Sequence, residues 1–170
     1  MKRVGILGGT FDPPHFGHLL LALDAHQDLQ LDKILFVVAG QPWQKTVTAS
    51  AFDRLIMTDL AIHETLRPWA EVSTVEVDRG EQPTYTIDTL EALARDDQEL
   101  FLLIGFDQVA NITTWHRHKE IADYATVHPV PRSLGISSSA IRSRVSEGKR
   151  LKYMVPDTVI EYIEKTGLYK

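Results

Sequence analysis

The chain has 170 residues, 44% hydrophobic and 24% charged, a balance that supports a real globular core and excludes a disordered or collagen-like chain. Cysteine is absent, which excludes disulfides, thiolate nucleophiles and cysteine zinc sites. Lys and Arg number 18 against 23 Asp and Glu, a net charge of −5; this speaks against a broad nucleic-acid footprint but leaves room for a local anion pocket.

No apolar run approaches the ~18 residues of a membrane span, and the opening stretch is too short for a signal peptide. A cytoplasmic protein without membrane or nucleic-acid partners is expected. In chain order, Arg3 to Gly8 reads as a buried strand, and His18 to Leu29 carries Leu19, Leu20, Ala22 and Leu23 near helical spacing. Lys33 to Gly40 is a second strand. Ala51 to Thr65 is a second helix, with Leu55, Ile56, Leu60 and Ile62. Glu71 to Val77 alternates with period 2 and reads as the third strand, followed by a helix from Thr86 to Arg95. Glu99 to Gly105 is a fourth strand and Tyr124 to Val130 a weaker fifth. Two helices close the chain: Ser138 to Glu147 before Gly148, and Pro156 to Lys165 before Gly167, with the expected Pro start and Gly stop. Apolar runs bounded by glycine suit strands covered on both faces. Their alternation with helices predicts an α/β fold, a doubly wound parallel sheet with a C-terminal helical segment, as one domain over residues 1–170. Ligands of such sheets sit beyond the carboxyl ends of the strands.

The exit of the first strand, Gly8-Gly9-Thr10-Phe11-Asp12-Pro13-Pro14-His15-Phe16-Gly17-His18, is the most informative segment. Two glycines allow a sharp turn and bare backbone for a ligand. The following helix start offers free N–H groups and a positive dipole end, which favour an anion. His15 and His18, three apart, can face one side of a first helical turn, with Gly17 keeping the wall between them low. The spacing fits neither a Walker A loop nor the dinucleotide G-x-G-x-x-G fingerprint. A metal is not expected, since no third His or carboxylate stands nearby in sequence. Either histidine alone is more simply a helix cap; the conjunction of features points to phosphate. Near the other end, Ser137, Ser138 and Ser139 stand at a helix start where hydroxyls and N–H groups bind anions. Arg142, one turn in, can fork onto phosphate oxygens. Arg144 reads as a solvated side chain.

The first of these segments resembles the signature of the nucleotidyltransferases with a His-x-Gly-His motif. Ile136-Ser137-Ser138-Ser139-Ala140-Ile141-Arg142 resembles their second motif, and two motifs in the right order are more specific than either alone. Further segments are similar to bacterial nicotinate-nucleotide adenylyltransferases: Val38 to Lys45, Pro83 to Leu90, Ile104 to Asp107, Thr114 to Arg117 and Val155 to Tyr169. The likeness spans nearly the whole chain. One departure stands out. From Tyr124 to Ile136 the chain passes almost directly from the fifth strand to the Ser-rich motif, where the family usually places a loop, a helix and a further strand. Arg132 is the candidate for the family's Arg-Pro turn in that stretch.

The resemblance implies a Rossmann-like nucleotidyltransferase fold and transfer of an adenylyl group from ATP to nicotinate mononucleotide. Pyrophosphate leaves, and Mg²⁺ arrives with ATP. By the same resemblance His15, His18, Lys45 and Arg142 meet the charge on the phosphates. Gly8, Gly9, Thr10, Phe11, Gly105, Asp107, Ile136, Ser137 and Ser138 bind ATP. Thr84, Tyr85, Thr86 and Trp115 bind the nicotinate nucleotide. The residues alone leave alternatives open: Lys45 as a solvated loop lysine, Trp115 as a core residue, Thr84 to Thr86 as helix caps. His116 and Arg117 stay undecided, and His26, His63, His118 and His128 are placed on solvated faces or loops. Three other readings remain: an adenylyltransferase for phosphopantetheine, one for another small phosphate, and a non-catalytic nucleotide-binding protein. The oligomeric state is open, a homo-oligomer included.

Overall fold

Successive strand residues point to opposite faces of a sheet, and here both faces are apolar. In the first strand Val4 and Ile6 belong to one core cluster and Leu7 to the other; in the fourth, Leu100, Leu102 and Ile104 oppose Phe101 and Leu103. A sheet of this kind needs helices on both sides. The computed structural model describes residues 1–42, 46–80, 82–131 and 133–170. It contains β1 (Lys2–Gly9), α1 (Phe16–Asp28), β2 (Lys33–Val38), α2 (Ala51–Thr65), β3 (Ala70–Ser73), α3 (Thr86–Leu93), β4 (Gln98–Gly105), α4 (Ile121–Tyr124), β5 (Ala125–Val130), α5 (Ser138–Ser146) and α6 (Asp157–Thr166). The five strands form one parallel sheet in the order β3-β2-β1-β4-β5. Residues of α1, α2, α5 and α6 share one core cluster; those of α3 and α4 share the other. The doubly wound α/β expectation therefore holds.

Several boundaries differ from the sequence reading by a residue or two, the second strand ending at Val38 rather than Gly40 and the third helix at Leu93 rather than Arg95, and two differences have a clear local cause. The third strand ends at Ser73, not Val77. Only Ala70 to Ser73 find partners on β2; beyond them Thr74 accepts the Asp78 N–H at 2.8 Å and donates its hydroxyl to Asp78 Oδ2 at 2.6 Å. That closes a 3₁₀ turn over Val77–Arg79. The first helix starts at Phe16 rather than His18, because His15 already supplies the cap. The direct passage from β5 to α5 is as expected, with residues 131–137 between them. No helix among the described residues is long and apolar enough to cross a membrane.

Candidate active site

β1 and β4 are neighbours, with β2 and β3 on one side and β5 on the other. The connections that follow them run in opposite directions, which opens a crevice at their carboxyl ends. A cleft of about 180 Å³ lies there. Gly8, Gly9 and Thr10 line it from the β1 exit and Ile104 from the end of β4. Thr84, Tyr85, Thr86 and Trp115 line it from the α3 side. Gly8, Gly9 and Thr10 of the expected ATP site thus share one cavity with the residues expected to hold the nicotinate nucleotide, whereas Ile136, Ser137, Ser138 and Arg142 do not line it.

The two glycines play different parts. A Cβ on the exposed Gly8 would meet nothing within 4 Å, so its backbone is open to a ligand. A Cβ on Gly9 would come within 2.9 Å of the Phe11 ring. Phe11 is 1% exposed, with its ring edge-on to His18 at 4.9 Å and 5.6 Å from that of Phe36. Its side chain lies in the core rather than on the cleft.

His15 caps α1 in an extended conformation, and its N–H donates to His18 Nδ1 at 3.3 Å. The two rings stack at 3.8 Å, so they do face one side. His15 is buried and His18 half-buried, and neither lines the 180 Å³ cleft. Gly17 is needed for a sharper reason than a low wall: a Cβ there would sit 2.9 Å from both Cε1 and Nδ1 of His15.

The distant second motif docks directly onto the first. The Ser138 hydroxyl donates to the Pro13 carbonyl at 2.8 Å, and Arg142 Nη1 to the Asp12 carbonyl at 2.8 Å. Ser137 is the α5 N-cap and accepts the Ala140 N–H at 3.2 Å. Ile136 packs half-buried against the larger core cluster. Gly105 ends β4, and Asp107 stands exposed in the following 3₁₀ turn. Neither lines the cleft. Lys45 and Arg132 lie outside the described residues. Among the described residues no group of three or more His, Asp or Glu comes together in a way that could hold a metal ion.

The undecided pair, His116 and Arg117, belongs to the site's support. His116 lines the cleft and its ring packs 4.4 Å from that of Tyr85. Arg117, in the left-handed region at φ 49°, donates to Glu91 at 2.7 Å and Glu120 at 2.6 Å, and pairs with Asp88 at 3.4 Å. It fastens the Trp115-bearing loop to α3. Its carboxylate partners pull the Arg117 pKa up, and Arg117 holds Glu91 and Glu120 below the usual carboxylate range. Of the other histidines, His63 is exposed as expected, but His26 stacks on Trp69 at 4.1 Å.

Three residues the sequence reading passed over hold the site together. Arg54, 1% exposed, donates to the carbonyls of Thr10 at 2.9 Å, Ala39 at 2.7 Å, Gly40 at 3.2 Å and Ala49 at 3.3 Å. It ties the β1 exit to the β2 exit. Burial pulls its pKa down, and the negative charges of Asp12 and Glu76 oppose that. Asp12, also buried, accepts the N–H groups of Thr48 at 2.6 Å and Ala49 at 3.1 Å and the Tyr169 hydroxyl at 2.7 Å. Burial, then the bond to Asp12, pushes the Tyr169 phenol up. The third is Glu76, which lines the cleft and whose carboxylate accepts the Thr89 hydroxyl at 2.7 Å. A signal for Arg54 was present: it shares the buried stripe of α2 with Met57, Thr58, Ala61 and Ile62, where an arginine is out of place.

Residues 6–144 match a family model described as cytidylyltransferase-like. A probable nicotinate-nucleotide adenylyltransferase of Frankia alni is 43% identical over 190 aligned positions, covering 96% of this chain and 98% of its own. One of Thermus thermophilus is 41% identical, covering 99% and 100%. Among solved structures, a putative nicotinate-nucleotide adenylyltransferase from Vibrio parahaemolyticus superposes with a TM-score of 0.83 at 22% identity, covering 99% of this chain and 96% of that one. Plasmodium falciparum nicotinic acid mononucleotide adenylyltransferase, complexed with NaAD, gives 0.82 at 17% identity, covering 99% and 98%.

Proposed function

The chain belongs to the nicotinate-nucleotide adenylyltransferases of the cytidylyltransferase-like family, and from that premise we propose that it adenylylates nicotinate mononucleotide. A phosphate oxygen of the mononucleotide attacks the α-phosphorus of Mg-ATP. The bond from that phosphorus to the bridging oxygen breaks, pyrophosphate leaves, and nicotinate adenine dinucleotide forms. No covalent enzyme intermediate is required. The observation that carries this reading is the shared cleft: the bare backbone of Gly8, with Gly9 and Thr10, opens on the same cavity as Trp115 and the Thr84 to Thr86 segment.

The protein's contribution is then positioning and charge stabilisation. In this reading Trp115 and Tyr85 offer flat faces to the pyridine ring. The amides at the α3 start hold the nicotinate carboxylate. The N–H groups of the β1 exit, with His15, His18, Lys45 and Arg142, meet the phosphates. Gly105, Asp107, Ile136, Ser137 and Ser138 frame the adenosine side. Mg²⁺ arrives as part of the nucleotide, held by triphosphate oxygens and water. The whole chain acts as one nucleotidyltransferase domain of NAD biosynthesis in the cytoplasm.

Pyrophosphate release from Mg-ATP tests the reading, with nicotinate mononucleotide, its amide and phosphopantetheine as rival acceptors. Turnover is expected with nicotinate mononucleotide, slowed at least ~10²-fold in His18→Ala if that ring stabilises the transition state. Faster turnover with phosphopantetheine, or ATP binding without turnover on any acceptor, overturns it.

A further inference from the structure

One wall residue of the cleft is out of keeping with a pocket for an acidic ligand. Glu76 is only 8% exposed, yet it lines the cavity alongside Tyr85 and Trp115. The Thr89 hydroxyl donates to Glu76 Oε1 at 2.7 Å and fixes one oxygen. Oε2 accepts no hydrogen bond among the described residues. No ion pair among the described residues includes Glu76, and no described Lys or Arg lines the cleft. Arg54 gives its guanidinium N–H groups to four carbonyls instead. Arg54 is near enough for the charge of Glu76 to act on it, but it makes no hydrogen bond to it, and a largely buried carboxylate with no directly paired cation is costly unless a ligand supplies one.

The acceptor proposed above carries such a cation. Its ring nitrogen, bonded to ribose, is a quaternary pyridinium whatever the pH. We propose that Glu76 is the counter-charge to this pyridinium, and so selects nucleotides with a positively charged ring over uncharged isosteres. The inference deepens the proposed function and rests on it. It also divides the pocket's work: the amides at the α3 start take the carboxylate of the ring, and Glu76 takes the opposite charge of the same ring. Thr89, one turn inside α3, couples the two, because the helix that presents the amides also holds the carboxylate.

The test crosses residue charge with ligand charge. Nicotinate mononucleotide is compared with the 3-carboxyphenyl C-riboside 5′-phosphate, which replaces the ring nitrogen by carbon and is uncharged there. Dissociation constants are measured by calorimetry for wild type and Glu76→Gln, whose amide oxygen still accepts from Thr89. The wild type is expected to prefer the pyridinium ligand, and Glu76→Gln to lose at least about tenfold of that preference, as close charge pairs do. The KM for ATP in the variant reports that the rest of the site is intact. Equal losses for both ligands would mean a hydroxyl contact or a structural role and overturn the proposal. Should Glu76→Gln not fold, Glu76→Asp keeps the charge one methylene further back. It is expected to retain part of the preference; complete loss of the preference in a folded Asp variant overturns the proposal too. Absence of wild-type turnover on nicotinate mononucleotide refutes the proposed function itself, which separates the two failures.

Discussion

Replacing Gly17 by alanine sets two opposed effects against each other. Gly17 is the second residue of α1, where alanine ordinarily gains about 0.5–1 kcal/mol over glycine. Its new Cβ, however, would sit 2.9 Å from two atoms of the His15 ring, and ordinary contact begins at 3.4 Å, so the ring has to retreat by about 0.5 Å. His15 is 5% exposed and stacked at 3.8 Å on His18, so the displacement passes to the second ring. Overpacking of this kind costs about 1–3 kcal/mol. The two terms partly offset, leaving the folded state weakened by no more than about 2.5 kcal/mol. Turnover has no such compensation. A 1 Å misplacement of a positioning group costs on the order of 10²-fold, so half of that corresponds to about tenfold in kcat. Gly17→Ala is therefore expected to remain folded, with a urea midpoint lowered by no more than that loss of stability, while kcat at saturating Mg-ATP and nicotinate mononucleotide falls about tenfold. A folded variant turning over within twofold of wild type would show that the placement of the His15 ring does not matter.

Arg54→Met leaves four carbonyls without their donor and is expected to destabilise the fold by about 3–5 kcal/mol, read as a lower urea midpoint at unchanged slope; a loss under about 1 kcal/mol contradicts the clamp. Tyr169→Phe removes one buried bond to Asp12 and is expected to cost about 1–2 kcal/mol at neutral pH. Burial raises the Tyr169 pKa above its ordinary 10.0, so the folded state favours the neutral phenol. That contribution is present in full below about pH 10 and lost as pH rises beyond it. Wild type should thus lose stability between pH 10 and 11 more steeply than Tyr169→Phe, and parallel curves would contradict the burial. Trp115→Ala is expected to raise the KM for nicotinate mononucleotide about three- to tenfold through lost stacking, with the KM for ATP unchanged; a rise confined to ATP would reassign the residue.

The sheet was legible because its strands are apolar on both faces, and a run such as Leu100 to Ile104 has no other comfortable place in a soluble fold. Helix α2 was legible to the residue, since Ser50 caps it by accepting the Asp53 N–H at 3.1 Å. The third strand overran because period-2 alternation continues through Val75 and Val77, while the backbone turns at Thr74 on hydrogen bonds that hydropathy does not register. At the site, the pairing of the first motif with the second was readable in principle, and Arg142 and Ser138 do reach Asp12 and Pro13. What stayed hidden were charges inside apolar surroundings. Arg54 sits among Leu55, Ile56 and Met57, and its worth lies in carbonyls of two other segments. Glu76 reads as one more strand residue until Thr89 is brought beside it.

The bond between Tyr169 and Asp12 joins positions separated by 157 residues. A ribosome delivers Asp12 157 residues before Tyr169, so the loop after β1 waits for this anchor until α6 has been made. A protease that removed Tyr169 would loosen a turn 157 residues away along the chain.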